Sequence, residues 1–313
     1  MKQYLVTGGA GFIGSHIVRA LLEHGRGVRV LDNFSSGKRE NLQGLGHLEN
    51  AGRLEVVQGD VRDAATVAAA TRDVEVIFHE AAFVSVPESL ENPQACFDVN
   101  VGGTSILFEA ARKAGVQRVV IASSAAVYGD SDVLPLREDA PLRPLSPYAV
   151  SKRVDEIYAQ LYTVSFGLQV VALRYFNVYG PRQRPDSMYA AAVPIFIRRL
   201  REGRPVTVFG DGGQSRDLVF VSDVVRANLV ASEHPSAPGK IFNICTGQST
   251  RILDLLDVLY ELFPNSPKPA FAPPRAGDIY KSLGSPVCAE DVIGFKAQTS
   301  LADGLKETVN WMQ

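Results

Sequence analysis

The sequence predicts an α/β fold, in which a doubly wound parallel sheet is followed by a smaller C-terminal lobe. Apolar runs of strand length alternate with helical patterns from residue 4 to residue 173. The first of these runs leads directly into a glycine-rich turn and then into a helical pattern, and beyond residue 180 the alternation weakens. Because ligands of such sheets bind at the carboxyl ends of the strands, the residues just after each strand are the candidate site residues.

Composition favours a globular protein of about two domains that binds neither nucleic acid nor a metal ion. The 313 residues are 46% hydrophobic and carry a formal charge of -2, with no basic cluster that would attract a polyanion. No uncharged apolar stretch reaches the roughly 20 residues that span a bilayer. The cysteines Cys96, Cys245 and Cys288 are far apart and form no disulfide or zinc pattern, which favours a reducing, cytoplasmic setting.

The first candidate site is a strand, a turn and a helix at the start of the chain. Residues 4–7 are an apolar strand, and the run from Gly8 to Gly14 is the turn. Gly8 permits a tight turn, Gly11 lets the backbone approach a pyrophosphate at the helix N-terminus, and Gly14 allows close helix packing. This context predicts a Rossmann-like dinucleotide site.

The second strand, residues 28–31, ends on a carboxylate. Asp32 lies eighteen residues after Gly14. A carboxylate at this position accepts hydrogen bonds from a ribose 2′-hydroxyl and repels a 2′-phosphate, so it favours NAD over NADP. Lys38 and Arg39 lie near enough in the sequence to weaken that preference somewhat.

Four more strands are predicted up to residue 173, each followed by residues suited to a ligand site. The strands are residues 54–57, 76–79, 118–122 and 169–173. The segments that follow them are Asp60-Val61, Ala81-Ala82, Ser123 to Gly129 and Arg174 to Pro181. Small residues such as Ala81 and Ala82 suit a backbone that passes close to a cofactor. His79 is interpreted as a packed structural histidine, because nothing near it in sequence completes a metal set.

A tyrosine and a lysine four residues apart are the candidate catalytic pair. Tyr148 and Lys152 begin a helical pattern, so they share one helix face. Bringing a phenol pKa from about 10 to about 7 takes roughly 4 kcal/mol. A fixed cation at about 4 Å in a medium of effective dielectric about 20 supplies roughly that much. Such a pair is a weak signal alone, and gains its meaning from the dinucleotide site upstream.

The C-terminal lobe is predicted to consist of two separated segments. Residues 1–180 form the cofactor domain, completed by about residues 216–246, and residues 181–215 with 247–313 form the second lobe. Within it, a helix begins at residues 191–197, a strand covers residues 206–209, and a glycine turn covers residues 210–213. Residues 264–274 contain five prolines and are predicted to form a loop across the mouth of the site.

These residues together resemble the extended short-chain dehydrogenase/reductases that act on nucleotide sugars, the NAD-dependent epimerase/dehydratase family, and within it the UDP-glucose 4-epimerase type. The resemblance covers nearly the whole chain. The motifs that carry it are Thr7 to Gly14, Asp32-Asn33, Asp60-Val61, His79 to Ala82, Asn100, Ser123 to Gly129, Tyr148 with Lys152, Arg174 to Pro181, Gly210 to Gly212, Arg216-Asp217 and Arg275 to Asp278. Each motif is weak alone, but their order and spacing are specific.

The resemblance implies a role for each matching residue. Tyr148 is the base, Lys152 holds the nicotinamide ribose and lowers the pKa of the tyrosine, and Ser124 hydrogen-bonds the reacting sugar oxygen. The implied NAD contacts are Gly8, Gly11, Phe12, Ile13, Asp32, Asn33, Asp60, Val61, Ala81, Ala82, Asn100, Tyr148, Lys152 and Tyr175. The implied contacts with the UDP-sugar are Ser85, Ser124, Tyr148, Asn177, Val193, Phe209, Arg216, Arg275 and Asp278. The arginines that need no such role are Arg182, Arg184, Arg198, Arg199 and Arg201.

The residues after the catalytic serine indicate which reaction follows the shared oxidation at the sugar C4 carbon. Dehydratases that resemble this fold place an Asp-Glu pair there, because elimination of water needs an acid and a further base. This chain has Ala125 and Ala126. A keto sugar without those proton carriers can only take its hydride back, and rotation beforehand gives the C4 epimer. The sequence therefore predicts NAD-dependent 4-epimerisation of a UDP-hexose.

Two other functions stay open at this point. A UDP-glucuronate decarboxylase, or another nucleotide-sugar enzyme of the same family, shares the first oxidation. A non-catalytic NAD-binding scaffold keeps the same fold, because function depends on the site and not on the fold. The presence of Ser124, Tyr148 and Lys152 argues against the scaffold.

The resemblance also bears on substrate width and on assembly. In these epimerases the residue seven positions after the diphosphate-binding arginine resembles a gate, which is bulky where only plain hexoses are accepted. Counting from Arg275 gives Ser282, a small residue, so N-acetylated hexoses are expected to enter as well. A homodimer built on the helices that contain Thr104 and Lys152 is also implied, although the sequence itself shows only that they are amphipathic.

Overall fold

A computed structural model of the chain describes residues 3–46, 51–185, 192–274 and 279–312. Its centre is a seven-stranded sheet in which every adjacent strand pair is parallel. The strands are β1 (Gln3–Thr7), β2 (Gly27–Asp32), β3 (Leu54–Gln58), β4 (Val76–His79), β5 (Arg118–Ser124), β6 (Gln169–Tyr175) and β11 (Ile241–Ile244). Their order is β3-β2-β1-β4-β5-β6-β11, which confirms the doubly wound α/β fold.

Helices cover both faces of this sheet. Those in the first part of the chain are α1 (Phe12–Glu23), α2 (Ala64–Ala70), α3 (Val86–Glu91), α4 (Pro93–Phe97), α5 (Gly103–Ala114) and α6 (Pro147–Phe166). Those that follow are α7 (Ala192–Arg201), α8 (Val221–Glu233), α9 (Ile252–Leu262), α10 (Val287–Ile293) and α11 (Leu301–Trp311). The described residues also form two short 3-10 helices, at Arg39–Leu42 and Ala125–Tyr128, and one π-helical turn at Asp98–Gly102.

The helices pack on the two faces of the sheet, and each face has its own apolar core. Helices α1 and α8 pack on one face, where Ile17, Leu21 and Val224 are fully buried against strand residues. Helices α2, α5 and α6 pack on the other face, around Phe108 and Ala159. Fully burying one such side chain stabilises the fold by about 1.5–3 kcal/mol, so these cores hold the carboxyl ends of the strands in register.

Helix α6 has clear start and stop signals in the sequence. The Ser146 hydroxyl caps its first turn by accepting the Ala149 N–H at 3.1 Å, and Pro147 occupies the first position, where its missing N–H costs nothing. Gly167 ends the helix in the left-handed conformation at φ 72°. The cap therefore fixes Tyr148 in the first turn, where it shares the helix with Lys152 as the sequence predicts.

The predicted second lobe has an apolar core of its own, beside three short strand pairs that the described residues form outside the central sheet. Strands β8 (Thr207–Phe209) and β13 (Ala270–Ala272) are parallel, as are β7 (Asn177–Tyr179) and β10 (Leu218–Phe220), whereas β9 (Ser215–Arg216) and β12 (Thr250–Arg251) are antiparallel. The buried residues of its core are Tyr179, Val193, Phe196, Ile197, Leu200, Val206, Val208, Phe220, Val221, Leu255, Leu256, Leu259 and Leu305. Phe220 and Val221 belong to this core, although the sequence assigns residues 216–246 to the cofactor domain. The domain boundaries given by the sequence stay a prediction.

The prediction that residues 264–274 form only a loop is wrong in part. Residues 270–272 form strand β13, with Ala270 paired to Thr207 and Ala272 to Phe209. Three non-proline residues lie between Pro269 and Pro273. They form a strand because they pair with β8, which is distant in the sequence. Pairing of this kind depends on tertiary contacts, which a local pattern of prolines does not contain.

Candidate active site

The glycine turn forms a cradle that only glycine can build. Gly8 has φ +68°, and a Cβ there would lie 2.7 Å from the Ala81 backbone nitrogen. A Cβ on Gly14 would collide with the Gly8 carbonyl oxygen, which accepts the Gly11 N–H at 2.9 Å. Within the described part of the chain, no side chain caps the N-terminus of α1, so its first N–H groups have no side-chain acceptor. Such a helix end suits the pyrophosphate of a dinucleotide.

Asp32 lies beside this cradle at the end of β2. It is 6% exposed, and its carboxylate accepts the Ala10 N–H at 2.9 Å and the Phe34 N–H at 2.8 Å. A carboxylate offers about four lone-pair sites, so two remain for ribose hydroxyls. Arg39 stacks on the Phe34 ring at 4.2 Å. This arrangement fits the NAD preference, because Arg39 has a partner of its own beside the carboxylate.

Asn33, just after β2, is hydrogen-bonded to Asp60, just after β3. The Asn33 amide donates to Asp60 at 2.9 Å, and Arg62 pairs with the same carboxylate at 2.8 Å. The hydrogen bond from Arg62 holds the pKa of Asp60 far below its usual range. Val61 is buried against Gly103. Asp60 is therefore an anion at any ordinary pH, and it borders the predicted adenine edge.

Asn100 is buried and hydrogen-bonded within the protein, and its contact with NAD stays a prediction. It is 1% exposed, and its amide oxygen accepts the Phe83 N–H at 2.7 Å. Its amide nitrogen donates to the Phe83 carbonyl at 3.1 Å and to the Ser151 hydroxyl at 2.8 Å. Asn100 thus fixes the backbone that follows Ala81 and Ala82 and links it to helix α6.

Tyr148 and Lys152 lie on α6 against the end of β5, where Ser124 is located. The Tyr148 backbone is held at both ends, because its N–H donates to Ser89 at 3.2 Å and its carbonyl accepts from Ser151 at 2.8 Å. Lys152 is only 4% exposed. Ser124 accepts the Ala126 N–H at 3.2 Å, which leaves its hydroxyl proton to donate. The helix that carries the phenol and the ammonium therefore packs against the strand whose last residue supplies a hydroxyl donor.

A buried ion pair supports the floor of this site. The guanidinium of Arg174 donates to Glu156 at 2.7 Å and 2.9 Å, and the two residues are 1% and 0% exposed. Ser123, next to Ser124, donates to the same carboxylate at 2.7 Å. Arg174 also donates to Tyr128 at 2.8 Å. These contacts join α6 to β5 and β6 directly beneath the catalytic groups.

A cavity of about 480 Å³ is lined by four of the predicted substrate residues, namely Asn177, Val193, Phe209 and Arg216. This volume is typical of a small-ligand site. The sequence reasoning missed Thr207 and Gln214, and it left Arg198 and Arg199 out of the site, although all four line the cavity. Arg275 and Asp278 lie outside the described residues, so their roles stay predictions.

Ser85, Tyr175 and Ser282 have structural partners of their own. The Ser85 hydroxyl caps α3 by accepting the Glu88 N–H at 3.2 Å. Tyr175 donates to Glu80 at 2.8 Å. The Ser282 N–H donates to the Ser215 carbonyl at 3.1 Å, which places the predicted gate beside β9. Their contacts with ligands stay predictions.

Asp155 is the residue near the catalytic pair that the sequence reasoning missed. Its carboxylate lies 3.6 Å from the Lys152 ammonium, and both side chains are buried. The signal was its position three residues after Lys152, a spacing at which helical side chains meet. Among the described residues, no group of three or more His, Cys, Asp or Glu side chains is arranged to hold a metal ion.

Comparison with known proteins identifies the group to which this chain is similar. A model of the NAD dependent epimerase/dehydratase family matches residues 4–245. The UDP-glucose 4-epimerase of Thermotoga maritima, solved with UDP-glucose, is 38% identical with a TM-score of 0.93. The UDP-N-acetylglucosamine 4-epimerase of Methanobrevibacter ruminantium M1, solved with UDP-N-acetylmuramic acid, is 37% identical with a TM-score of 0.94. The Thermus thermophilus UDP-glucose 4-epimerase, solved with NAD, is 39% identical with a TM-score of 0.88.

Each of these alignments covers 99% of this chain and 98% of the other. The similarity therefore includes both lobes and every described strand end that borders the glycine cradle. It confirms the resemblance found in the motifs of the sequence. The chain belongs to the NAD dependent epimerase/dehydratase family.

Proposed function

We propose that this protein is an NAD-dependent 4-epimerase that interconverts UDP-glucose and UDP-galactose. The observation that carries the proposal is the packing of α6, with Tyr148 and Lys152, against the strand end that holds Ser124. Ala125 and Ala126 follow that serine, so the site has a base but lacks the proton carriers of a dehydratase. The solved relatives with UDP-glucose and with NAD support the same function.

Three side chains of this protein share the proposed chemistry. Tyr148, as phenolate, takes the proton of the sugar 4-hydroxyl, and the field of Lys152 stabilises that phenolate. The Ser124 hydroxyl donates to the same sugar oxygen and stabilises charge as the C4 ketone forms. NAD held by the glycine cradle and Asp32 would supply the hydride acceptor for the sugar C4 carbon. Tyr148 then gives its proton back, so one turnover leaves no net change in protonation.

Binding of the nucleotide part is assigned to the cavity of about 480 Å³. Arg216, Arg198 and Arg199 give its walls a positive charge that suits a diphosphate, since guanidinium groups bind phosphate oxygens with parallel hydrogen bonds. Val193 and Phe209 supply the apolar surface for a base. Binding energy from this remote part holds the hexose so that either ring face can meet the cofactor.

A product assay without added NAD tests the proposed function. Protein purified with its cofactor is incubated with UDP-glucose, UDP-N-acetylglucosamine and UDP-glucuronate in separate reactions. The expected product from UDP-glucose is UDP-galactose. Accumulation of a 4-keto-6-deoxy sugar, or release of carbon dioxide from UDP-glucuronate without any epimer, would contradict the proposal.

Ser282 is proposed to admit the N-acetyl group of larger sugars. Its N–H is anchored to Ser215 beside β9, so the small side chain has a fixed position next to the substrate residue Arg216. Replacing it as Ser282→Tyr is expected to reduce turnover of UDP-N-acetylglucosamine by about tenfold to 200-fold, the usual cost of a steric misfit. Turnover of UDP-glucose is expected to change little. Equal loss on both sugars in steady-state assays would remove the support for a gate.

A homodimer is proposed on the outer face of α6. Val150, Ile157, Leu161 and Val164 are between 46% and 86% exposed there, and Phe97 on α4 is 53% exposed. An apolar face of this kind, rimmed by polar residues, marks an interface between chains. Sedimentation equilibrium is expected to give twice the monomer mass, and Leu161→Glu is expected to give monomers. A monomeric wild type would refute the dimer.

We propose a cytoplasmic location for this enzyme. Cys96, Cys245 and Cys288 are free thiols in the structure, as expected under reducing conditions. None of the helices in the described ranges has the length and apolar character needed to cross a bilayer. Fractionation of cells that express the protein tests this location.

A further inference from the structure

A chain of buried hydrogen bonds runs from the glycine cradle to the catalytic lysine. The Ala81 N–H meets the Thr7 hydroxyl at 3.3 Å, and that hydroxyl lies 2.7 Å from His79 Nδ1. His79 Nε2 lies 3.0 Å from the Thr104 hydroxyl, which in turn hydrogen-bonds Asp155. Asp155 ends the chain, 3.6 Å from the Lys152 ammonium. Four elements of the fold, β1, β4, α5 and α6, therefore converge on one carboxylate.

The protons in this chain have a definite direction. Burial lowers the pKa of His79 to about 3, with a further contribution from Lys152, so its ring is neutral and carries one N–H. The Thr104 hydroxyl donates to Asp155, because their hydrogen bond lowers the pKa of that carboxyl. The Nε2–H of His79 must then donate to Thr104, and its Nδ1 accepts from Thr7. Every donor in the chain is thus directed towards Asp155, which favours its anionic form.

Asp155 is nevertheless in an environment that opposes charge. It is 2% exposed, and burial raises its pKa to about 7 although Lys152 and Thr104 act in the other direction. Glu156 on the same helix faces it but is paired with Arg174. Cys96 on α4 also faces it, with a thiol whose pKa is raised by burial. Burial and the two donors therefore act in opposite directions on the pKa of Asp155.

Glu80 is the second carboxyl that faces the lysine. It follows β4 and accepts a hydrogen bond from Tyr175, whose hydroxyl also accepts from Asn228 at 2.8 Å. Burial raises the pKa of Glu80 to about 7, and Lys152 opposes that shift. Glu80 is bound through Tyr175, whereas Asp155 forms an ion pair with Lys152. Asp155 is thus the nearer counter-charge.

We propose that Asp155 is a positioning residue that holds the Lys152 ammonium as its counter-charge and thereby sets the proton affinity of Tyr148. The three residues lie at i, i+4 and i+7 of α6, so the lysine stands between the base and the carboxylate on one helix face. An ionised Asp155 weakens the positive field that acts on the phenol. The inference rests on the proposed roles of Tyr148 and Lys152.

Asp155→Asn tests the proposal, because it keeps the shape of the side chain and removes its charge. Seven helical residues span roughly 10 Å, and at effective dielectric about 20 one charge at that distance moves a pKa by about one unit. The Tyr148 phenol is therefore expected to ionise about one pH unit lower in Asp155→Asn than in wild type. The measurement is an ultraviolet titration of tyrosinate in protein freed of cofactor. Subtracting the matching Tyr148→Phe titration isolates Tyr148 from the other tyrosines.

Matched variants separate a charge effect from a structural one. Asp155→Glu restores the carboxylate and is expected to return the Tyr148 ionisation towards that of wild type. Glu109→Gln removes an exposed carboxylate paired with Arg112 and is expected to leave it unchanged. Thr104→Val, usable if Asp155→Asn does not fold, weakens the anionic form of Asp155 and is expected to give a smaller shift in the same direction.

An unchanged or higher Tyr148 pKa in folded Asp155→Asn would overturn the proposal. The titration uses no sugar and no cofactor, so its outcome is independent of the product assay. A protein that fails to epimerise UDP-glucose but shows the shift would refute the proposed function alone. A protein that epimerises but shows no shift would refute only the role of Asp155.

Discussion

Replacing the proposed base as Tyr148→Phe is expected to lower kcat for UDP-glucose epimerisation by about 10²–10⁴-fold. The change removes one oxygen atom, the one that takes the sugar proton, and leaves a ring of the same size. The backbone at this position is held by Ser89 and Ser151, so the ring stays in place without the hydroxyl. The measurement is the rate of UDP-galactose formation at saturating substrate.

The control for this variant is its ability to fold and to bind. Tyr148→Phe is expected to keep the melting temperature of the wild type and to bind UDP with similar affinity, since Tyr148 does not line the nucleotide cavity. Full activity in the variant would show that another group is the base. It would also revive the possibility of a scaffold whose tyrosine has no catalytic role.

The second large effect is expected on stability and comes from Glu156→Gln. We expect the free energy of unfolding to fall by about 3–5 kcal/mol, because the change leaves the buried Arg174 guanidinium without its counter-charge. The glutamine amide can accept only one of the two short hydrogen bonds from the guanidinium, and Ser123 loses a charged acceptor. Urea unfolding of wild type and variant, followed by circular dichroism, measures the difference.

Glu109→Gln is the matched control for this stability change. Glu109 also forms an ion pair with an arginine, but both side chains are more than one third exposed. Exposed ion pairs contribute little, so its stability is expected to stay close to that of wild type. Equal stability losses in both variants would mean that burial of the Glu156 pair does not set its importance.

The sequence predicted the first half of the fold well because its signals there are local. The strand before Gly8, the glycine turn and the helix after it follow from neighbouring residues alone. The same holds for Tyr148 and Lys152, whose helix has a serine cap, a proline start and a glycine end. Local physics decides these features, and the tertiary structure preserves them.

Other features depend on contacts between distant segments and were not predictable. The strand at residues 270–272 exists only through its pairing with β8, and the prolines around it suggested a loop. Asn100 matched a motif, but its hydrogen bonds with Phe83 and Ser151 join segments that are distant in the sequence. The link from Asp155 to Thr104 and His79 joins α6 to α5 and β4, so no sequence window contains it.

The most direct test of the central claim is the fate of the C4 hydrogen of the sugar. In the proposed reaction, hydride leaves C4, stays in the site, and returns to the opposite ring face of the same molecule. UDP-glucose carrying deuterium at C4 is incubated with the protein in ordinary water, and the product is examined by nuclear magnetic resonance. The account predicts UDP-galactose with deuterium still at C4. Loss of that deuterium to water, or its appearance at another sugar carbon, would contradict the account.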